Sequence, residues 1–93
     1  MTDILFHFEL VSPERKLVSE EAFEVVAPGT EGVFGVRAGH MPLLATLKAG
    51  VVEVIRVKGG KPERFQIEDG FADVTGTTMT ILAERATPLD QAA

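Results

Sequence analysis

Two histidines, His7 and His40, are the side chains best placed to move protons near neutral pH, and they lie in unrelated segments. His7 sits among residues of strand pattern and reads as a surface or rim side chain. His40 lies in a glycine-rich loop, where a contact role competes with a local hydrogen bond that fixes the loop, the simpler internal role. A zinc site needs three or four nitrogen and sulfur ligands, and two histidines with no cysteine do not supply them. Ser12 and Ser19 have no neighbouring histidine or lysine pattern, and no Gly-x-Ser-x-Gly elbow exists. Asp69 and Asp73 fall in a turn and a strand, not on one helix face, and turn chemistry accounts for Asp69-Gly70. Glu20, Glu21 and Glu31 read as solvated charges. The glycine-rich run from Gly29 to Gly35 lacks a Gly-Lys-Ser/Thr ending, the Gly-x-Gly-x-x-Gly spacing and a following helix to meet a phosphate. The residues offer no catalytic constellation, no metal cage and no cofactor site.

The elements that hold these residues follow from an apolar period of two. Ile4, Phe6, Phe8 and Leu10 alternate with Leu5, His7 and Glu9, the mark of a half-buried strand. Ser12-Pro13-Glu14-Arg15 is a turn, with proline preset in φ. A longer strand is expected from Lys16 to Ala27, with Glu20-Glu21 at a bend or solvent-facing stretch. Pro28 to Gly32 reads as a turn, Val33 to Val36 as a very short strand, Arg37 to Pro42 as a loop and Leu43 to Leu47 as a short apolar segment. After the turn Lys48-Ala49-Gly50, Val51 to Lys58 is rich in the β-branched residues that suit a pleated surface. Gly59-Gly60-Lys61-Pro62 looks like a hairpin turn. The last strands are Glu63 to Glu68, Phe71 to Thr75 and Met79 to Ala83, separated by Asp69-Gly70 and Gly76-Thr77. From Ala86 the pattern leaves the strand period and looks helix-compatible.

Short strands at spacings of roughly 8–12 residues with Gly and Pro punctuation point to an all-β sandwich or flattened barrel of roughly 8–10 strands. Two packed sheets are expected, since a single sheet would leave one face bare. The sandwich domain spans residues 1–86, with 87–93 a short tail. Glycines 29, 32, 35, 39 and 50 crowd one stretch of chain, which must hold unusual backbone angles or close approaches.

With 93 residues the chain makes one domain with a modest core. The absence of cysteine fits a reducing compartment. A net charge of -5 with scattered basic residues disfavours nucleic acid and acidic lipid as partners. The apolar stretches are a few residues long, far short of the about 20 a helix needs to span a bilayer. Met1-Thr2-Asp3-Ile4 carries no basic n-region, so a cytoplasmic protein is expected.

One segment carries more than fold class. Between Val25 and Leu44 stand Pro28-Gly29, then Gly32-Val33-Phe34-Gly35, then Gly39-His40-Met41-Pro42-Leu43. This resembles the hallmark of the epsilon subunit of proton-translocating ATP synthases: a Pro-Gly turn, Gly-x-x-Gly, then Gly-His-x-Pro-Leu. Two further blocks fall in family order. Glu9-Leu10-Val11-Ser12-Pro13-Glu14 resembles the first strand and turn, while Phe65 to Val74 followed by Met79 to Glu84 resembles the last strands. The family usually reads Gly-Gly-Phe there, and Asp69 replaces the first glycine.

The resemblance implies a non-catalytic rotor subunit at the foot of the gamma shaft, touching the membrane ring of c subunits and coupling proton flow to ATP synthesis. It implies gamma and the c-ring as partners, the catalytic head indirectly, no cofactor and no direct lipid insertion. It also implies a peripheral place on the cytoplasmic face of a bacterial inner membrane. Mapped by motif, Glu31, Gly32, Val33, Phe34 and Gly35 are candidates for contact with the c-ring loops. His40, Met41 and Pro42 are candidates for the gamma-facing surface, with internal packing the alternative for Met41 and Leu43. Family members typically continue into two antiparallel helices that regulate the enzyme and in some bind ATP. This sequence stops where the first would begin, so inhibition by that hairpin is not expected from these residues. Two rival readings are an unrelated β-sandwich adaptor that binds a peptide or small ligand, and a small enzyme using Asp69, Asp73 and His40. The second requires those three residues to converge in one pocket.

Overall fold

Alternation sets the inward faces. In β1 (Phe6–Val11), Phe6, Phe8 and Leu10 are buried while His7, Glu9 and Val11 face outward. The computed structural model describes residues 4–89, and residues 1–3 and 90–93 lie outside the described residues. After β1 the Ser12–Arg15 turn closes by reciprocal backbone bonds of 2.9 and 3.2 Å between its end residues. The chain continues as β2 (Lys16–Ala22), β3 (Glu24–Gly29), β4 (Gly32–Arg37), β5 (Leu43–Leu47), β6 (Gly50–Ile55), β7 (Glu63–Val74) and β8 (Thr78–Pro88). These are all-β elements, eight strands among the described residues.

The sheet order is β2-β1-β8-β7-β5-β3-β4, and β6 bridges β3 and β7. β1 lies parallel to β8, and the other pairings are antiparallel. β3 and β5 pair at one register position, Gly29↔Leu47, flanked by hydrogen bonds from the Thr30 N–H to the Thr46 carbonyl and from the Lys48 N–H to the Pro28 carbonyl. A single hydrophobic core joins Phe8, Leu10, Met79 and Ile81 from β1 and β8 with Val25, Val36, Val52 and Val54 from β3, β4 and β6. No polar or charged residue is buried as a whole among the described residues.

Three expectations are corrected. The strand expected from Lys16 to Ala27 breaks at Phe23, not at Glu20-Glu21. The buried positions shift from Val18 and Ala22 to Val25 and Ala27, so the alternation changes phase at the break. There the chain leaves β1 for β4 and β6, and the Phe23 N–H donates to the Ile55 carbonyl at 2.8 Å.

Asp69-Gly70 does not divide this stretch into separate strands. β7 runs through it as one 12-residue strand. Its first half, Glu63–Ile67, pairs with β6, and its second half, Gly70–Val74, pairs with β5. At the change of partner Asp69 adopts a left-handed φ of 39°, which short polar residues tolerate. Gly70 lies so close to the Leu82 carbonyl that a Cβ would collide with it.

The last strand also outruns its expected end at Ala83. β8 continues through Ala86 and Thr87 to Pro88 because the first half of β7 offers partners, with Gln66↔Thr87 and Phe65↔Pro88 in register. The Leu89 N–H then donates to the Arg64 carbonyl at 2.9 Å. The expected tail is therefore strand as far as Pro88, and its remainder from Asp90 lies outside the described residues.

Candidate partner-docking surface

The β3–β4 hairpin presents the first group of candidates. Gly29↔Gly32 is the closing pair, so Thr30 and Glu31 alone make the turn. Glycine is required at both ends of it. A Cβ on Gly29 would come within 2.7 Å of the Gly32 carbonyl and 3.1 Å of the Phe34 ring, and Gly32 has φ +135°. Glu31 is thereby held at an exposed tip, followed by exposed Gly32 and Val33. Phe34 turns inward, half-buried against the core, while Gly35 faces out again.

The second group follows the other end of β4, about 16 Å away at the rise of a strand. The Gly39 N–H donates to the Gly76 carbonyl at 2.9 Å, pinning the loop to the β7–β8 turn. His40 donates its backbone N–H to the Arg37 carbonyl, and its Nδ1 lies 2.7 Å from the Met41 carbonyl. A carbonyl only accepts, so Nδ1 carries the proton and the ring locks the loop locally. Met41 is left 79% exposed with Pro42 beside it, whereas Leu43 packs partly against the core. The two residues whose packing was open thus divide, Met41 outward and Leu43 inward. Arg37 braces the base of the loop, reaching Glu24 at 3.2 Å and standing 4.7 Å over the Phe23 ring.

Between the hairpin and the edge of β5 runs an open groove of about 460 Å³, lined by Gly29–Phe34 and Leu43–Thr46. Val33 and Leu44 are each at least 70% exposed along it. Leu44 escaped the sequence reading, although alternation of Leu43, Ala45 and Leu47 toward the core leaves it facing out. The same rule leaves Phe71 and Leu82 exposed as a cross-strand pair on β7 and β8. They line a second, more apolar groove of about 540 Å³ with Val11, Pro13 and Asp69.

Asp69, Asp73 and His40 do not converge. Asp69 borders the Phe71–Leu82 groove, Asp73 faces outward from β7, and His40 borders a shallow depression with Gly35 and Arg37. Among the described residues no three His, Asp or Glu side chains are grouped to hold a metal ion. The shape of this region is that of a contact surface: a rigid polar tip, an exposed methionine and an apolar-edged groove between them.

Comparison with known proteins decides the family. The model of the β-sandwich domain of the ATP synthase delta/epsilon chain matches residues 5–89. The chain belongs to this family. It is 51% identical over 86 residues to the ATP synthase epsilon chain of Rhizobium meliloti, covering 92% of this chain and 63% of that one. The epsilon chain of Sinorhizobium fredii is 52% identical over the same shares. The chain thus spans somewhat under two thirds of the length of these relatives. A chain of the Euglena gracilis mitochondrial ATP synthase superposes with a TM-score of 0.85 at 27% identity, over 96% of this chain and 56% of that one. The central stalk and c-ring structure of the Tetrahymena thermophila enzyme gives a TM-score of 0.75 at 15% identity, a likeness of fold alone. The all-β sandwich expected from the strand pattern is the fold of this family.

Proposed function

We propose that the chain is a non-catalytic central-stalk subunit of a proton-translocating ATP synthase, docking the gamma shaft to the c-ring. The family match over residues 5–89 carries this reading, together with relatives named as ATP synthase epsilon chains. In it the Glu31–Gly35 hairpin, that is Glu31, Gly32, Val33, Phe34 and Gly35, meets the polar loops of the c-ring. Glu31 and Val33 make the contact, and Phe34 anchors the hairpin to the core. His40, Met41 and Pro42 face gamma, with Met41 and the nearby exposed Leu44 as the apolar contacts and His40 as the lock on its loop. The catalytic head is reached only indirectly, and the site is peripheral, at the cytoplasmic face of a bacterial inner membrane.

Torque transmission asks for a stiff body with contact faces. A sandwich whose loops are pinned by main-chain bonds meets that need. Size-exclusion chromatography of the chain with its cognate gamma subunit tests the reading. A stable one-to-one complex is expected, and a well-folded chain that never co-elutes with gamma would overturn it.

A further inference from the structure

His7 stands on the solvent face of β1 with a carboxylate at each ring nitrogen. Nε2 is 3.1 Å from Glu9 Oε2, on the same strand, and Nδ1 is 3.2 Å from Glu21 Oε2, across the pairing with β2. A neutral imidazole has one N–H, and its other nitrogen would turn a lone pair toward carboxylate lone pairs. Only the imidazolium donates to both. The same nitrogen that meets Glu9 has a second neighbour, the Ser19 hydroxyl at 3.2 Å. Glu9 also has a second cation, Lys16 Nζ, at 3.4 Å, and the Ser19 hydroxyl reaches Glu9 Oε2 at the same distance. From β8 the register neighbours are Thr78 and Thr80, neither of which titrates.

We propose that His7 is a proton-operated clasp between β1 and the edge strand β2. Protonated, it ties Glu9 and Glu21 together. Neutral, it keeps its Nδ1–H on Glu21, while Nε2 accepts a hydrogen bond from the Ser19 hydroxyl and Glu9 is left to Lys16. The exchange is possible only at Nε2, because Nδ1 has no alternative donor among these contacts. The four charged groups His7, Lys16, Glu9 and Glu21 then sum to zero in the protonated state and to one negative charge in the neutral state. The face of β1 and β2 therefore becomes anionic as pH rises.

The electrostatics agree in direction. The hydrogen bond to Glu9, then that to Glu21, raise the His7 pKa above its ordinary value, and the bond from His7 lowers that of Glu9. A raised histidine pKa means that the clasp is fully closed below the ordinary value of about 6.5 and is lost as pH rises through the folded value.

Nitrogen-15 NMR of the imidazole in the full chain, followed across about pH 5 to 9, tests this. The expected result is a His7 midpoint above the ordinary value and a neutral state dominated by the Nδ1–H tautomer, whereas free histidine favours Nε2–H. Glu21→Gln should lower the midpoint, and Ser19→Ala should remove the Nδ1–H preference. All three positions face solvent, and the measurement on the unaltered chain stands without the variants. A midpoint at or below the ordinary value, or a neutral state dominated by Nε2–H, would overturn the clasp.

Discussion

The two ends of the sheet, β2 and β4, are finished in opposite ways. A free strand edge invites pairing with another chain, and proteins usually blunt it with charge. The β2 end follows that rule. Lys16, Glu20 and Glu21 stud the strand, and Arg56 ties Glu20 of β2 to Glu63 of β7 at 2.7 and 2.6 Å. Burial raises the pKa of Glu20, and the Arg56 charge, which Glu63 shares, offsets that incompletely. The β4 end breaks the rule. Its one charge, Arg37, sits at its far end against Glu24; Gly32, Val33 and Gly35 leave the rest without charge, and across the groove Leu44 is equally bare. A single chain that guards one edge and leaves the other apolar marks the second as a contact surface.

The largest expected effect comes from destroying the shape of the β4 end. Gly29→Val would drive its side chain into the Gly32 carbonyl and the Phe34 ring. Overpacking of this kind costs about 1–3 kcal/mol. Thermal unfolding should show the loss, and a variant as stable as the parent would mean that the hairpin is not held rigidly.

Next in size is a change that leaves the fold alone. Leu44→Glu places a charge on a side chain 73% exposed, so stability should stay within about 0.5 kcal/mol. Affinity for gamma should fall at least about tenfold, or roughly 1.4 kcal/mol. Unchanged affinity would remove Leu44 from the gamma face and leave the Met41 loop alone to carry it.

Smaller effects belong to the β2 end. Arg56→Met leaves the carboxylates of Glu20 and Glu63 facing each other without their shared cation. Because Arg56 is about half exposed, the loss should be only about 1 kcal/mol in chemical denaturation. Glu20→Gln should change stability by less than about 0.5 kcal/mol at neutral pH, because it removes a carboxylate whose burial works against its charge. A penalty several times larger would show that the pair is a true clamp and not a guard on the edge.

Much of this was readable from residue order. Phe6, Phe8 and Leu10 announce β1, and Pro28-Gly29 with Gly32 announces the hairpin, although the turn proper is only Thr30-Glu31. The exposed tip at Glu31 and the hydrogen bond from His40 within its own loop follow from the same local chemistry. What sequence could not give was set by distant partners. β7 stays whole through Asp69-Gly70 because β5 and β6 are both there to pair with it, and β8 reaches Pro88 because β7 does. Leu44, Phe71 and Leu82 were legible by strict alternation, but an apolar run hides which of its members point outward.

The central claim is that the exposed apolar face at Met41 and Leu44, and not the β2 end, meets the shaft. Calorimetric titration of the cognate gamma subunit with the unaltered chain, Leu44→Glu and Glu20→Gln, at one salt concentration, tests it most directly. The account predicts a one-to-one complex that Leu44→Glu weakens and Glu20→Gln leaves intact. Equal binding by the parent and Leu44→Glu, with loss on Glu20→Gln, would contradict it.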